Sequence, residues 1–203
     1  MHYLVKILKW LILLGVLAGL IFVLLNFSYF SQQIIYFFDQ TFVTDAQRDF
    51  RRSENPVEQK PNELYIPALE IRAPIVYTEN KDEANFQKAL QKGVVHYPDT
   101  APIGEVGNTY IFGHSSDFAF APGEYKTVFA LLPNLEKGEQ ILVSNEKGKI
   151  FKYIVYEKFV AEKTATYLLN QDTGGRKILT LQTSYPIGTA LKRYIIRAEL
   201  LPE

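Results

Sequence analysis

Between Lys9 and Asp39 the chain carries no charged residue, and residues 11–25 are almost wholly aliphatic. That stretch divides the molecule before anything else is read. A helix needs about 20 predominantly apolar residues to cross a ~30 Å hydrocarbon core, and this run meets that length. A buried core helix would be shorter and would carry a polar face. A cleaved signal peptide would have an apolar region of about 7–15 residues ending at a small-x-small site. Here the run continues into Asn26-Phe27-Ser28-Tyr29-Phe30. Residues 1–38 are therefore expected to be an uncleaved signal anchor with one transmembrane helix. Lys6 and Lys9 flank the span, and the next cation is Arg48. The positive-inside bias then keeps the N-terminus in the cytoplasm and sends the rest outside the cell membrane. Tyr29, Tyr36, Phe37 and Phe38 suit the outer headgroup layer, where aromatic rings settle.

Beyond the anchor the composition changes twice. Residues 39–62 mix charges with Pro56 and Pro61 and are expected to form a stalk, helical in part near residues 44–52. From Glu63 onward, short apolar or alternating runs recur between turn signals: residues 64–66, 75–77, 109–112, 140–144, 150–159, 178–183 and 194–201. Residues 82–90 instead place Phe86, Ala89 and Leu90 on one helical face, with Gly93 as a stop. About eight short strands with minor helices predict a mostly β fold, a closed or nearly closed β-barrel over residues 63–203. Lys+Arg and Asp+Glu both number 22 in the 203 residues, so no net field draws the chain to nucleic acid, and no reader motif is present. The absence of cysteine excludes disulfides and thiolate metal sites. The acidic residues are dispersed, without calcium-site spacing, so neither a metal nor a cofactor is expected.

Three side chains stand at strand ends. The run 178–183 stops on Ser184, the next strand opens at Arg193, and the strand 109–112 leads into Gly113-His114. Alternation puts Leu179, Leu181 and Thr183 on one face and Gln182 and Ser184 on the other, while Arg193 faces away from Tyr194 and Ile196. The apolar sets fill the barrel, which leaves Ser184 and Arg193 on the outer faces of neighbouring strands. A nucleophile-type residue, an imidazole and a guanidinium converging on one carbonyl are the parts of acyl-transfer chemistry. The loop 117–125, with Phe118, Phe120 and Tyr125, is either a wall or lid of that groove or a surface loop anchored by its aromatics.

The run Thr180-Leu181-Gln182-Thr183-Ser184 resembles the T-L-x-T-C motif of sortases, with serine in place of cysteine. Arg193 sits where that family carries its arginine, and Gly113-His114 resembles its histidine site. The lead-ins Leu64-Tyr65-Ile66-Pro67 with Ala73-Pro74-Ile75, and Gly93-Val94-Val95-His96-Tyr97-Pro98 with Gly107-Asn108-Thr109, agree in order. The resemblance implies a membrane-tethered β-barrel transpeptidase of a bacterial surface. In such enzymes a cysteine attacks the Thr-Gly bond of an LPxTG-like sorting signal, and an amine of a peptidoglycan precursor or a pilin resolves the thioacyl-enzyme. By motif match Ser184 takes the nucleophile position, His114 the acid/base position and Arg193 the position that steadies substrate or oxyanion. Thr183, Ser115 and His96 flank these three and are expected at the substrate, His96 also competing for the acid/base role.

The serine matters chemically. A thiol with a pKa of about 8.5 ionises beside a histidine at workable pH, whereas a hydroxyl needs an aligned general base. Asp117 is the nearby carboxylate to test for that alignment, and no G-x-S-x-G elbow surrounds Ser184. Weak or no turnover is the expectation. Two other functions stay open: a non-catalytic homologue that binds sorting signals or scaffolds surface proteins, and a serine acyl hydrolase.

Overall fold

The structure, a computed structural model, describes residues 2–44, 46–48, 59–117 and 121–202. Helix α1 (His2–Leu25) contains the stretch Tyr3–Leu25, long and apolar enough to cross a membrane, and its side chains are exposed along nearly its whole length. The helix does not run on unbroken to residue 38. It breaks at Asn26, where φ is −108° and ψ 23° and where the side-chain Nδ2 donates to the Phe22 carbonyl at 2.9 Å. An asparagine amide competes for backbone acceptors in this way and offers the chain an alternative to the helical ladder.

Helix α2 (Phe27–Phe42) follows and turns one face to the β domain. Gln32 Nε2 donates to Thr127 Oγ1 at 2.6 Å, Gln33 Nε2 donates to the Ala130 carbonyl at 3.0 Å, and Tyr36 packs on the main core. Tyr36 therefore lies against protein, while Phe37 and Phe38 stay exposed. The stalk expected over 39–62 begins as the last turn of α2; residues 46–48 are helical, and residues 45 and 49–58 lie outside the described part.

Eight strands form a closed barrel: β1 (Glu63–Ile66), β2 (Ile71–Tyr77), β3 (Val94–His96), β4 (Gly107–Phe112), β5 (Gln140–Ser144), β6 (Ile150–Glu162), β7 (Lys177–Tyr185) and β8 (Lys192–Leu200). The order around it is β1-β2-β3-β4-β7-β8-β6-β5, and β5 closes back onto β1. Two neighbouring pairs, β2 with β3 and β4 with β7, are parallel; the rest are antiparallel. Closure leaves no free sheet edge for another chain to extend.

The interior follows the period of two. Leu179 and Leu181 of β7 and Ile196 and Ala198 of β8 are fully buried beside Leu64, Ile111, Ile141 and Val143. Each large aliphatic side chain removed from water contributes about 1.5–3 kcal/mol, so this face fixes the register of every strand that carries it. Helix α3 (Glu83–Leu90) is capped by Asp82, whose carboxylate accepts from Asn85 N at 2.9 Å, and it buries Phe86, Ala89 and Leu90 against Val95. It covers the outside of β2 and β3 and touches Phe112 of β4, and that places it beside the site.

Candidate active site

Pairing brings the three candidate side chains together. In the parallel ladder of β4 and β7, Phe112 lies opposite Gln182, and Gly113 N donates to the Gln182 carbonyl at 3.1 Å, one step beyond the last paired residues. His114 therefore leaves β4 alongside Ser184. On the other edge of β7, Ser184 is the register partner of Arg193 in β8. All three line one cleft of about 360 Å³ on the barrel's outside.

Glycine at 113 is what lets β4 end there. A Cβ on that residue would stand 2.8 Å from Phe129 Cδ2, inside contact distance of a fully buried ring. The close approach allows Phe129 N to donate to the His114 carbonyl at 2.9 Å, and Thr183 Oγ1 to donate to the Gly113 carbonyl at 2.9 Å. The backbone under the imidazole is thus held from both sides.

The cleft floor is aromatic and hydrogen-bonded. Tyr110 donates its hydroxyl to Gln182 Oε1 at 2.5 Å, and burial pushes the phenol up, so it stays a donor at any physiological pH. Phe86 and Leu90 of α3 form one wall, and Ala165 and Leu169 from the connection between β6 and β7 form the other. Charged side chains also line the cleft: Glu83, Lys163 and Arg193. The Arg193 guanidinium donates to the carbonyls of Ala190 (3.1 Å) and Lys192 (3.0 Å), which hold it over the β7–β8 loop.

His114 is largely buried, and that burial lowers its pKa from the ordinary histidine value; Asp117, whose Oδ2 lies 4.0 Å from His114 Nε2, pulls the other way. The net state is a neutral imidazole near pH 7 with a carboxylate near enough to steady it once charged. That suits a group that first takes a proton and then returns it.

The three expected substrate contacts stand elsewhere. Thr183 faces the interior, 1% exposed, and serves the Gly113 carbonyl. Ser115 is buried outside the cleft lining. His96 is 6% exposed, donates one hydrogen bond from Nε2 to the Ala101 carbonyl (3.0 Å) and packs on the Tyr77 ring at 5.1 Å. Strand alternation turns Thr183 and His96 to covered faces, and Ser115, beyond the end of β4, is buried in the segment after His114. Of the aromatic loop, Phe118 and Phe120 lie outside the described residues, and Tyr125 packs against the core.

Sequence reasoning passed over the wall formed by residues 163–169. Its signal is weak: Ala165, Leu168 and Leu169 are apolar among polar neighbours without a strand or helix period. What holds this wall is a polar network. Asn108 donates to the Leu168 carbonyl at 2.8 Å and accepts from Thr180 Oγ1 at 2.7 Å. Gln171 accepts from Ala101 N and Asn108 N and donates to the carbonyls of Asn108 and Leu169.

Comparison with known proteins places this barrel in a family. The family model for the sortase domain matches residues 64–201. Sortase D of Bacillus subtilis (strain 168) is 31% identical over 156 residues, spanning 75% of this chain and 70% of that protein. Among solved structures, sortase C-1 from Actinomyces oris superposes with a TM-score of 0.58 at 24% identity, covering 78% of this chain and 84% of the other. A Clostridium perfringens sortase D5 transpeptidase gives 0.56 at 24% identity, covering 81% and 94%. The chain belongs to the sortase family of transpeptidases.

Proposed function

We propose that this protein is a membrane-tethered sortase acting outside the cell membrane. Its reaction is cleavage of an LPxTG-like sorting signal and transfer of the acyl group to an amine of the cell envelope or of a pilin. The observation that carries the reading is the convergence of His114, Ser184 and Arg193 on one cleft. In this reaction the side chain at 184 adds to the threonine carbonyl, and Arg193 stabilises the negative charge that develops on the carbonyl oxygen. Neutral His114 accepts the proton of the attacking group and passes it to the departing glycine amine. The incoming amine then attacks the acyl-enzyme, and the side chain at 184 leaves with the proton. The apolar walls at Phe86, Leu90 and Leu169 suit the leucine and proline of the signal.

With serine at 184 the first step is slow, because the hydroxyl does not ionise near neutral pH and depends wholly on His114. The test compares the chain with Ser184→Cys on a panel of sorting peptides plus a glycyl amine, read by mass spectrometry. Ser184→Cys is expected to form a thioacyl adduct and transferred product, with the parent chain giving neither at an ordinary enzymatic rate. A Ser184→Cys protein inert across the panel overturns the proposed reaction. Turnover by the parent at that rate overturns the account of the serine.

A second reading is favoured by that same hydroxyl: a sortase-like module that captures sorting signals without turnover. Calorimetry separates it, since tight peptide binding without product supports capture and no binding removes it.

A further inference from the structure

Residues 185–191, the loop joining the strand of Ser184 to the strand of Arg193, carry no charged side chain. Leu191 is 64% exposed, and Tyr185, 38% exposed, has its ring 5.8 Å from that of Tyr194; the loop runs directly from Ser184 to Arg193, both of which line the cleft. The loop does not hang free. Gly188 N donates to Ser116 Oγ at 3.1 Å, which ties it to the segment after His114. On its other side Gly188 rests on the end of the anchor: a Cβ there would stand 3.2 Å from Asn26 Oδ1 and 3.5 Å from Phe22 Cε2. Its φ of +70° suits glycine, so the close approach and the turn share one residue.

Phe22 lies three residues inside the end of α1, about 4.5 Å down the helix axis from Leu25 at ~1.5 Å rise per residue. A loop that touches Phe22 is therefore level with the outer edge of whatever surrounds α1. We propose that the β7–β8 loop is a lipid-contact surface, resting on the outer leaflet with Leu191 and Tyr185 among the headgroups, so that the catalytic cleft opens at the bilayer surface. The occupant is lipid because the patch is continuous with the apolar end of α1, and because burying an uncharged leucine- and tyrosine-bearing loop desolvates no ion. This rests on the reading of α1 as the membrane anchor and goes beyond it.

The chain has no cysteine, so single cysteines are unique labelling sites. The full chain is reconstituted in nanodiscs of phosphatidylglycerol and phosphatidylcholine and spin-labelled at Leu17→Cys, Leu191→Cys, Thr189→Cys or Ile150→Cys. Leu17 reports the anchor. Ile150, half exposed at the opposite end of the barrel, is the apolar control. The ratio of oxygen to nickel-chelate collision is expected to be severalfold higher at 17, 189 and 191 than at 150. A high ratio at 17 with 189 and 191 matching 150 overturns the inference and leaves the anchor standing. A low ratio at 17 overturns the anchor and the inference with it. Labels at 191 coupled to those of a second copy and shielded from lipid would make the loop a contact between copies, and would also overturn it.

Discussion

Two histidines sit at strand ends, and burial lowers the pKa of both. Their surroundings separate their roles. His96 meets a backbone carbonyl and a tyrosine ring, whereas His114 meets Asp117 and the open cleft. In the Ser184→Cys background, His114→Ala is expected to lower kcat by about 10²–10⁴-fold, and His96→Gln to leave kcat within a small factor, measured by peptide transfer. Both histidines also couple folding to pH. A base whose folded pKa is depressed takes up its proton more readily when unfolded, so stability is held above the ordinary histidine value of about 6.5 and lost as pH falls below it. Denaturant unfolding is expected to show a lower midpoint at acid pH than at neutral pH, with a shallower dependence in His96→Gln. Strand ends and period-two alternation put Ser184 and Arg193 on outer faces of neighbouring strands, and His114 joined them through the resemblance of Gly113-His114 to the family's histidine site. Alternation already set Thr183 with the barrel-facing leucines, but it did not say how Ser115 or His96 would turn, since that depends on what covers each face.

Among elements, the connection between β6 and β7 shows how polar groups can shape an apolar wall. Gln171 satisfies the amides of residues 101 and 108 and the carbonyls of 108 and 169 with one side chain. Removing it leaves several backbone groups unpaired in a partly buried place, each costing about 1–3 kcal/mol if water does not replace the partner. Gln171→Ala is expected to destabilise the fold by about 2–3 kcal/mol in chemical denaturation and to raise KM as the wall loosens. Leu169→Ala trims the wall itself; losing about three methylene-sized groups of contact predicts a 10–50-fold weaker peptide affinity, read by calorimetry, with little change in stability. None of this network was legible from the sequence, because Asn108 and Gln171 are 63 residues apart and carry no periodic signal. Helix α3 was legible nearly to the residue, since Asp82 and the Phe86, Ala89, Leu90 face announce its cap and its buried side.

The molecule as a whole couples a long apolar helix to a closed barrel. The strand count and closure could be read from regular spacing of short β-runs, but the break at Asn26 could not. No glycine or proline stands next to it to mark it, and the glutamines that dock α2 look like ordinary polar residues until Thr127 and Ala130 stand opposite them. No group of three or more His, Cys, Asp or Glu able to hold a metal occurs among the described residues, and chelator treatment is expected to leave the thermal midpoint unchanged.

The parallel pairing of β4 with β7 has a temporal meaning. On the proposed topology, a chain threaded outward through the membrane presents its histidine strand first, while the strand that must lie beside it is about seventy residues behind, and the arginine strand later still. No reactive cleft exists until the final quarter of the polypeptide has emerged and the cylinder has shut, a high-separation contact that forms slowly. On that proposed topology, the site thus stays unassembled during the chain's own export.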